Sequence, residues 1–401
     1  MDSVQKKPQI PILLFLLTFA NVLGILYTAA LPELTLYFQI TKGQAQSTIS
    51  FFLVGCMLGQ IIYAPIANAL GRKPALYIGG AIVILGSFLC LISIAVNSFY
   101  LLLFARILTA FGAACGLVLT NTMIADAFTH LEVKKKLSYL MSGFAIFPAI
   151  SITLGGFITK YFSWKGCFYF MFFYSCFVIG LCIFLPETVK MRSLSHLRIS
   201  QIAKSYIKQF YNVRFPFYAL IVACGSIILY VFSAEAPFIA KTKLHISPDR
   251  FGLYNLIPNI GLFLGGIASA RLSHKIPSRV MIFIGSSSFF LLSIVMWLFF
   301  EGGFVNIFTL FVMPLFIFFV TPAILSNGQS LALAISEDKS YASSSLYIIQ
   351  FSWVFLSITV LRFFSPGNSS ALPIVYSAAG LLMVLFWIVL KMLPLEKHQN
   401  L

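Results

Sequence analysis

Four ionisable residues of this 401-residue chain lie inside or at the ends of long apolar stretches: Arg106, Glu33, Glu235 and Asp126. A carboxyl group in an apolar environment favours its neutral form, so it can exchange a proton near neutral pH. A guanidinium group in the same environment stays charged and faces the protein interior or a water-filled cavity. These residue types therefore indicate proton binding and ion pairing inside an apolar medium.

The segments that carry these residues are long enough to cross a membrane. Hydrophobic residues make up 60% of the chain, charged residues only 9%, and the mean hydropathy is +0.95. A bilayer core needs about 20 apolar residues per helix, and strands of a β-barrel would alternate with a period of two, which these stretches do not. We predict an all-α integral membrane protein with twelve transmembrane helices, near residues 11–31, 45–68, 75–96, 99–123, 137–159, 164–185, 215–239, 251–271, 279–300, 304–327, 341–364 and 371–393.

The distribution of positive charge predicts the orientation of these helices. When both termini are placed in the cytoplasm, nineteen of the 27 Lys and Arg residues fall on the inner side, seven on the outer side, and Arg106 inside a helix. This bias is the one expected for membrane proteins. The net charge of +16 therefore reflects topology, and we expect no nucleic-acid partner.

The longest polar stretch divides the predicted helices into six and six. We predict an N-terminal bundle at 1–186, a cytoplasmic basic linker at 187–214 and a C-terminal bundle at 215–401. Apolar residues at helical spacing opposite lysines in the linker suggest an amphipathic helix on the anionic inner leaflet, and a flexible tether is an equally good interpretation. The second and eighth helices both end in a short basic turn, which is typical of two related six-helix repeats.

A signature segment joins the second and third predicted helices, where Gly71-Arg72-Lys73-Pro74 forms a basic turn. Residues 59–74 resemble the loop signature of the major facilitator superfamily, and more narrowly that of the bicyclomycin-resistance (Bcr/CflA) drug:proton antiporters. Further similar segments cover nearly the whole chain. The resemblance implies two pseudo-symmetric six-helix bundles with a substrate site between them. The signature residues are Gly59, Asn68, Gly71, Arg72 and Lys73.

Two departures from the family pattern change what the resemblance implies. The usual Asp-Arg pair of the loop signature is replaced by Asn68 and Ala69, and Asn68 can form hydrogen bonds but supplies no charge. We therefore expect a weaker inner gate that depends on Asp126. The first helix lacks the acid that related exporters often carry at its middle, so proton coupling cannot be assigned there.

Each ionisable residue has two interpretations. Arg106 is either a coupling or gating residue or a structural clamp on backbone carbonyls. Glu33 is either a solvated cap or, like Glu235, the protonatable site, with Arg106 tuning the N-terminal one. Asp126 is either part of an inner-gate ion pair or an ordinary loop charge.

The fifth predicted helix contains small residues and a proline that resemble the antiporter signature of the family. Small residues allow close helix packing and proline permits bending, so they favour export over uptake, although ordinary packing would use them too. Those residues are Pro148, Gly155 and Gly156. Polar and amphipathic residues in cavity-forming helices are candidates for substrate contact: Asn21, Tyr27, Asn121, Tyr230, Asn255, Asn259, Gln350 and Trp353.

No residue pattern indicates an enzyme, a cofactor or a metal site. The chain lacks a Gly-rich phosphate loop, and its five histidines are far apart in sequence. We predict a monomeric secondary transporter of the bacterial inner membrane that exchanges a small organic compound for protons. Proton-coupled uptake of a small nutrient such as an amino acid, or a membrane sensor without transport, are the alternatives.

Overall fold

The computed structural model describes residues 7–128, 130–189, 199–336, 339–364 and 368–393. Within its helices, the side chains at 130–131, 133–135, 137–139, 141–145, 199–202 and 339–340 lie outside the description. All described secondary structure is helical, and the chain forms two compact units, Met1–Lys204 and Ser205–Leu401. This division falls within the segment predicted to join the two halves.

The first unit contains six long helices. A single helical stretch, His130–Leu181, is broken at Phe162 and Ser163, whose backbone angles are not helical. The break separates α5 from α6, and the short 3-10 turn Cys182–Phe184 follows α6. The helices are α1 (Ile10–Phe38), α2 (Lys42–Leu70), α3 (Arg72–Ala95), α4 (Phe99–Ala127), α5 (130–161) and α6 (164–181).

The short helix α7 (Ile199–Lys208) lies across the boundary between the two units and within the predicted linker. This part of the linker is helical, and its placement on the anionic inner leaflet stays a prediction; residues 190–198 lie outside the described residues. Six long helices follow: α8 (Arg214–Thr242), α9 (Pro248–Leu272), α10 (Ser278–Glu301), α11 (Phe308–Ala334), α12 (Lys339–Val360) and α13 (Ala371–Met392).

Among the described residues, eleven helical segments are long and apolar enough to cross a membrane. One of these, Ile146–Phe184, has 39 residues and contains the break between α5 and α6, so it holds two spans. The predicted all-α membrane fold is confirmed, and each predicted span coincides with a helix.

Capping residues determine where several helices begin. Thr41 precedes α2; its Oγ1 accepts from Gln44 N at 3.2 Å, and Gln44 Oε1 accepts from Thr41 N at 2.8 Å. Ser98 caps α4 by accepting from Leu101 N at 3.4 Å. These bonds satisfy amide groups that have no partner inside the helix.

Proline residues explain two breaks inside spanning helices. In α1, Leu26–Ala30 forms a 3-10 turn just before Pro32, which cannot donate a hydrogen bond to the preceding turn. In α9, the helix is interrupted at Asn255, three residues before Pro258. Freed carbonyl groups at such breaks need other donors, and polar side chains provide them.

The predicted basic turn is shorter than expected. Only Gly71 lies outside the helices, with φ at 115°, a value that favours glycine. Arg72, Lys73 and Pro74 already belong to the first turn of α3. Proline is tolerated there because its missing N–H has no helical partner to lose.

Candidate functional site

Arg106 lies near the start of α4 in the first unit and is fully buried, with 0% of its surface exposed. Its Nη1 donates to the carbonyl oxygen of Leu23 at 2.7 Å, and its Nη2 donates to that of Gly24 at 3.2 Å. Nε lies 3.5 Å from the carbonyl oxygen of Thr48 on α2. A single side chain of α4 therefore connects α1 and α2.

The carbonyl groups that Arg106 binds belong to the end of a helix. The first part of α1 ends at Ile25, and the last four carbonyls of a helix have no intrahelical partner by default. Val22 O accepts from Leu26 N, and Ile25 O accepts from Thr28 Oγ1 at 2.7 Å. Arg106 binds the remaining two, so its charge also lies at the negative end of the helix dipole.

Aromatic rings enclose the guanidinium group. Its Cζ lies 4.5 Å from the ring centre of Tyr27 and 4.3 Å from that of Phe52. The Tyr27 hydroxyl is hydrogen-bonded to Thr48 Oγ1 at 2.7 Å. Cation–π contacts of this kind are stronger in a desolvated site. These contacts include a clamp on backbone carbonyls, which is one of the two interpretations of Arg106, and they tie Tyr27 to Arg106. A coupling or gating role of Arg106 stays a prediction.

A second cluster lies where α2, α3, α4 and the end of α6 meet. Arg72 Nε donates to Asp126 Oδ2 at 2.9 Å, and Arg72 Nη1 donates to Asn68 Oδ1 at 2.6 Å. Thr188 Oγ1 donates to the same Asp126 oxygen at 3.2 Å. The Arg72 side chain is only 9% exposed and that of Asp126 is 25% exposed. This is a polar network with one charge pair and two neutral members.

Glu187 completes this cluster from the segment after α6. Its carboxylate accepts the N–H groups of Arg72 at 3.0 Å and Lys73 at 3.2 Å, which are unpaired donors of the first turn of α3. It also accepts from Thr188 N at 2.9 Å and Val189 N at 3.1 Å. Burial alone would raise the pKa of Glu187, but these backbone hydrogen bonds outweigh it and lower the pKa below its usual value.

Lys73 also connects the start of α3 to the segment after α6, but here the charged side chain belongs to α3 and the backbone group to the segment after α6. Its Nζ donates to the carbonyl oxygen of Ile183 at 2.9 Å, at the end of the 3-10 turn after α6. A cation at a C-terminal helix end is stabilised by the helix dipole. Gly71-Arg72-Lys73 thus binds both α4 and α6.

The two predicted proton-binding acids lie in different units. Glu235 belongs to α8 and is 0% exposed. Glu33 is half-buried in the second part of α1, beyond the break that Arg106 stabilises. Their role as proton-binding sites stays a prediction.

The predicted cavity residues fall into two groups. In the first unit, Asn21 and Asn121 are half-buried, whereas Tyr27 is enclosed by its contact with Arg106. In the second unit, Asn259 Nδ2 donates to the carbonyl oxygen of Asn255 at 2.8 Å, beside the break in α9.

The remaining cavity candidates lie on α8 and α12, and the side chain of Asn255 lies on α9. Tyr230 contacts Phe351 edge to face, and Trp353 is half-buried. Asn255 Nδ2 and Gln350 Oε1 are buried atoms without a hydrogen-bond partner among the described residues. Such atoms are costly to bury, so they are suited to bind a polar group of a ligand.

The glycines predicted as an antiporter signature allow close packing of α5 on α1. A Cβ atom at Gly155 would lie 1.7 Å from the carbonyl oxygen of Leu26 in the 3-10 turn. Gly156 is also buried, and Pro148, nearer the start of α5, is half-buried. On α2, Gly59 has the same function, since its Cβ would lie 2.5 Å from Ala114 of α4.

Sequence reasoning missed Glu187 and Thr188 as members of the Arg72 cluster. Both residues lie in the polar stretch after the sixth span, where position along the chain does not show which helix end they approach. An isolated acid directly after a spanning helix, in an otherwise basic segment, is the signal that could have identified Glu187.

Long apolar helices in two units, with buried arginines held by carbonyl groups and a carboxylate, define a polytopic membrane protein. The chain belongs to the major facilitator superfamily, because the model of that family matches residues 12–360. It is a secondary transporter of this superfamily, as the signature at 59–74 predicts.

Relatives and solved structures agree with this assignment. The chain is 29% identical to an uncharacterized transporter of Rickettsia bellii, with 67% of each chain covered, and 26% identical to a bicyclomycin resistance protein homolog of Haemophilus influenzae, with 68% of each covered. It is 22% identical to multidrug resistance protein D of Escherichia coli, over 77% of this chain and 76% of that protein. The matches thus span about two thirds to three quarters of these relatives.

The fold is that of a solved transporter of the same architecture. A crystal structure of a D-xylose-proton symporter superimposes with a TM-score of 0.75 over 98% of both chains, at 15% sequence identity. The predicted superfamily is confirmed, and the relatives are consistent with the Bcr/CflA-like branch.

Proposed function

We propose that this transporter exports small organic compounds in exchange for protons, by alternating access of its two halves. The observation that carries this proposal is the similarity to relatives named for resistance to bicyclomycin and to multiple drugs. The antiporter-like residues of α5 support it, because Gly155 allows the close contact of α5 with the broken part of α1. The substrate is a drug-like compound or a metabolite.

Proton coupling is assigned to Glu235 and Glu33. Glu235 is an acidic side chain buried inside a spanning helix, where ionisable residues are rare and tend to be functional. Glu33 lies on the part of α1 that follows the Arg106-bound break. Arg106 therefore acts on Glu33 by fixing the geometry of α1.

The Arg72 cluster is proposed to stabilise the inner end of the first unit. Asn68 supplies a neutral acceptor where the family has a carboxylate, and Asp126 supplies the charge that Arg72 needs. With both termini in the cytoplasm of a bacterial inner membrane, this cluster lies on the cytoplasmic side. Residues 187–214 then form the cytoplasmic linker, with exposed Lys204 and Lys208 of α7 near anionic lipid.

The substrate site is proposed to be largely apolar with a few polar contacts. Tyr230, Trp353 and Phe351 supply aromatic surface, and Asn255 Nδ2 and Gln350 Oε1 are available for hydrogen bonds. Apolar sites with few convergent polar groups suit lipophilic organic compounds. A monomer contains all of these groups.

Purified protein in proteoliposomes with an internal pH dye tests the proposal. A panel of lipophilic drugs and small nutrients is added outside, and the internal pH is recorded as each compound enters. A rise in internal pH coupled to substrate entry supports proton exchange. A coupled fall would instead show a symporter, and the absence of any substrate-linked change would show a sensor; both results contradict the proposal.

A further inference from the structure

The second unit contains a break inside the spanning helix α9. The helix consists of an outer segment, Pro248–Tyr254, and an inner segment, Leu256–Leu272, with Asn255 between them. Pro258 contributes to this break, because it has no N–H to donate to the carbonyl oxygen of Tyr254. The two segments are therefore joined through Asn255 by an incomplete ladder of backbone hydrogen bonds.

The inner segment of α9 packs directly on α11. A Cβ atom at Gly261 or Gly265 would overlap the carbonyl oxygens of Leu315 and Phe319, so the backbones of the two helices are in contact. The two glycines are one turn apart, and the contact extends over about 6 Å of helix. The inner segment thus has a fixed position relative to α11.

Aromatic side chains connect the outer segment of α9 to its neighbours. The centre of the Phe311 ring of α11 lies 5.5 Å from that of Tyr254 and 5.9 Å from that of Phe251, and both of these rings belong to the outer segment. Phe232 of α8 contacts the same ring at 6.4 Å. Phe311 is 0% exposed and lies at the centre of this group. It therefore joins the outer segment of α9 to both α8 and α11.

Phe311 itself lies in an irregular part of α11. The first residues of this helix, Phe308–Val312, form a wide π-type turn, a rare conformation that is frequent at functional sites. Pro314 follows the turn and has no N–H to donate to the carbonyl oxygen of Leu310. The outer segment of α9 thus meets α11 where both helices depart from regular geometry.

The first unit has a different group at the corresponding position. In each unit a close-packed glycine faces a carbonyl oxygen of a neighbouring helix, that of Ile107 on α4 in the first unit and that of Leu315 on α11 in the second. The residues directly before them, Arg106 and Pro314, therefore occupy corresponding positions. Arg106 donates to the carbonyl groups at the break in α1, whereas proline has no group to donate.

The break in α9 also contains a buried donor. Asn255 is 1% exposed, and its Nδ2 has no hydrogen-bond partner among the described residues. A buried donor of this kind destabilises the conformation that buries it, and a conformation in which water reaches it removes that cost. The break in α1 is bonded by Arg106, so the two breaks differ in how firmly they are held.

We propose that the outer segment of α9, Pro248–Tyr254, is a lid that turns about Asn255, and that Phe311 is the latch that holds the lid closed. Opening separates Phe251 and Tyr254 from the Phe311 ring and brings water to the Asn255 amide. Hinges are typically a few residues at the ends of elements, where backbone angles can change. The movement is local to the second unit and does not depend on the substrate or on the direction of transport.

Hydrogen–deuterium exchange of the full-length protein in lipid nanodiscs, analysed by mass spectrometry, measures this opening. Two windows of five residues are compared, 253–257 at the break in α9 and Leu26–Ala30 at the break that Arg106 binds. Relative to intrinsic rates, residues 253–257 should exchange at least about tenfold faster, because a local opening costs less than unfolding of the unit. Equal or slower exchange at 253–257 would overturn the proposal.

Phe311→Leu removes the latch ring, and Phe289→Leu is its matched control. Phe289 is also 0% exposed in the second unit, but its ring packs on Tyr376 of α13, with 6.1 Å between ring centres. Phe311→Leu should raise exchange at 253–257 about tenfold and leave Leu26–Ala30 unchanged, because several ring contacts are lost. The control should match wild type at 253–257. A rise of equal size in both variants, or no rise in Phe311→Leu, would overturn the assignment of the latch.

Tyr254→Leu gives a milder change if Phe311→Leu fails to fold. It removes one of the two ring contacts between the lid and Phe311, and the Tyr254 side chain is half-buried. Exchange at 253–257 should rise about threefold or more, as expected for the loss of one aromatic pair. Exchange at the wild-type rate in this variant would contradict the role of Phe311 as a latch.

Discussion

The guanidinium group of Arg72 binds the carboxylate of Asp126, with 2.9 Å between Nε and Oδ2. The pair joins the start of α3 to the end of α4, and both side chains are largely buried. Asn68 and Thr188 bond the same two groups as neutral partners. Removing one partner of a buried charge pair strongly lowers the free energy of unfolding, because the other charge is left buried without compensation.

Replacement of Asp126 by Asn should therefore destabilise the protein. Arg72 would keep its neutral acceptor on Asn68 but lose its charge partner in a site of low exposure. We expect a loss of about 1–3 kcal/mol in the free energy of unfolding, measured in mixed micelles with increasing denaturing detergent.

The matched control for this change is Glu132→Gln. Glu132 also forms an ion pair, with Lys7 at 2.8 Å, but the side chains are 39% and 56% exposed. An exposed pair contributes about 0–1 kcal/mol. Equal losses in the two variants would show that burial of the Arg72 pair has no energetic consequence.

Arg106→Lys should also destabilise the protein, although it keeps the positive charge. An ammonium group cannot bind the Leu23 and Gly24 carbonyls in the planar, two-pronged geometry that the guanidinium group provides. At least one buried carbonyl loses its donor, which costs about 1–3 kcal/mol. The unfolding free energy and the transport rate should both fall.

Phe52→Leu is the comparison for this prediction. It keeps both hydrogen bonds and removes one of the two rings next to the guanidinium group. We expect a smaller loss, about 1 kcal/mol from the cation–π contact and the ring packing. An Arg106→Lys protein with wild-type stability and transport would show that charge alone matters at this position.

The lowered pKa of Glu187 makes the free energy of unfolding depend on pH in a specific way. Its folded-state pKa is lowered by its backbone hydrogen bonds, so the stability it contributes is present above the unfolded-state pKa and lost as pH falls through the folded-state pKa. Glu187→Gln should be less stable than wild type at neutral pH. The difference between the two proteins should shrink as pH falls below about 4.

The measurement is the thermal unfolding midpoint of both proteins between neutral and acidic pH. The difference between the midpoints of wild type and Glu187→Gln at each pH removes the contributions that the other acidic residues make to the pH dependence of stability. A difference that stays constant over the whole range would contradict the assignment of Glu187 as a charged cap of α3.

Gly155→Ala tests the contact between α5 and the 3-10 turn of α1. The added Cβ would overlap the carbonyl oxygen of Leu26, so the helices must move apart, at a cost of about 1–3 kcal/mol. Gly180→Ala on α6 is the control, since a Cβ there meets no atom within 4 Å. That change should be neutral or slightly stabilising. Thermal unfolding of both variants checks the prediction, and similar midpoints would contradict it.

Much of the fold follows from hydropathy, because a membrane helix must satisfy its own backbone hydrogen bonds and the apolar lengths are therefore readable. The predicted spans match helices of the structure for this reason. The partners of Arg106 could not be read in the same way. They are backbone carbonyls, freed by the break before Pro32, and a sequence does not show which side chain reaches them.

The contacts of Glu187 could not be predicted from the sequence for a related reason. Its partners are amide groups at the start of α3, more than a hundred residues earlier in the chain. Asp126 was predicted to be either part of an inner-gate ion pair or an ordinary loop charge, and in the structure it pairs with Arg72, 54 positions earlier in the chain. Long-range pairing of this kind depends on how helices pack, which composition and spacing do not determine.

Substrate-driven proton movement in proteoliposomes that contain the Glu33→Gln/Glu235→Gln protein tests the central claim most directly. Counterflow of labelled substrate without a pH gradient serves as the control, because it needs a folded carrier but no proton transfer. We predict that counterflow persists while the substrate-linked rise in internal pH disappears. A double variant that transports substrate against a pH gradient as fast as wild type would contradict the account.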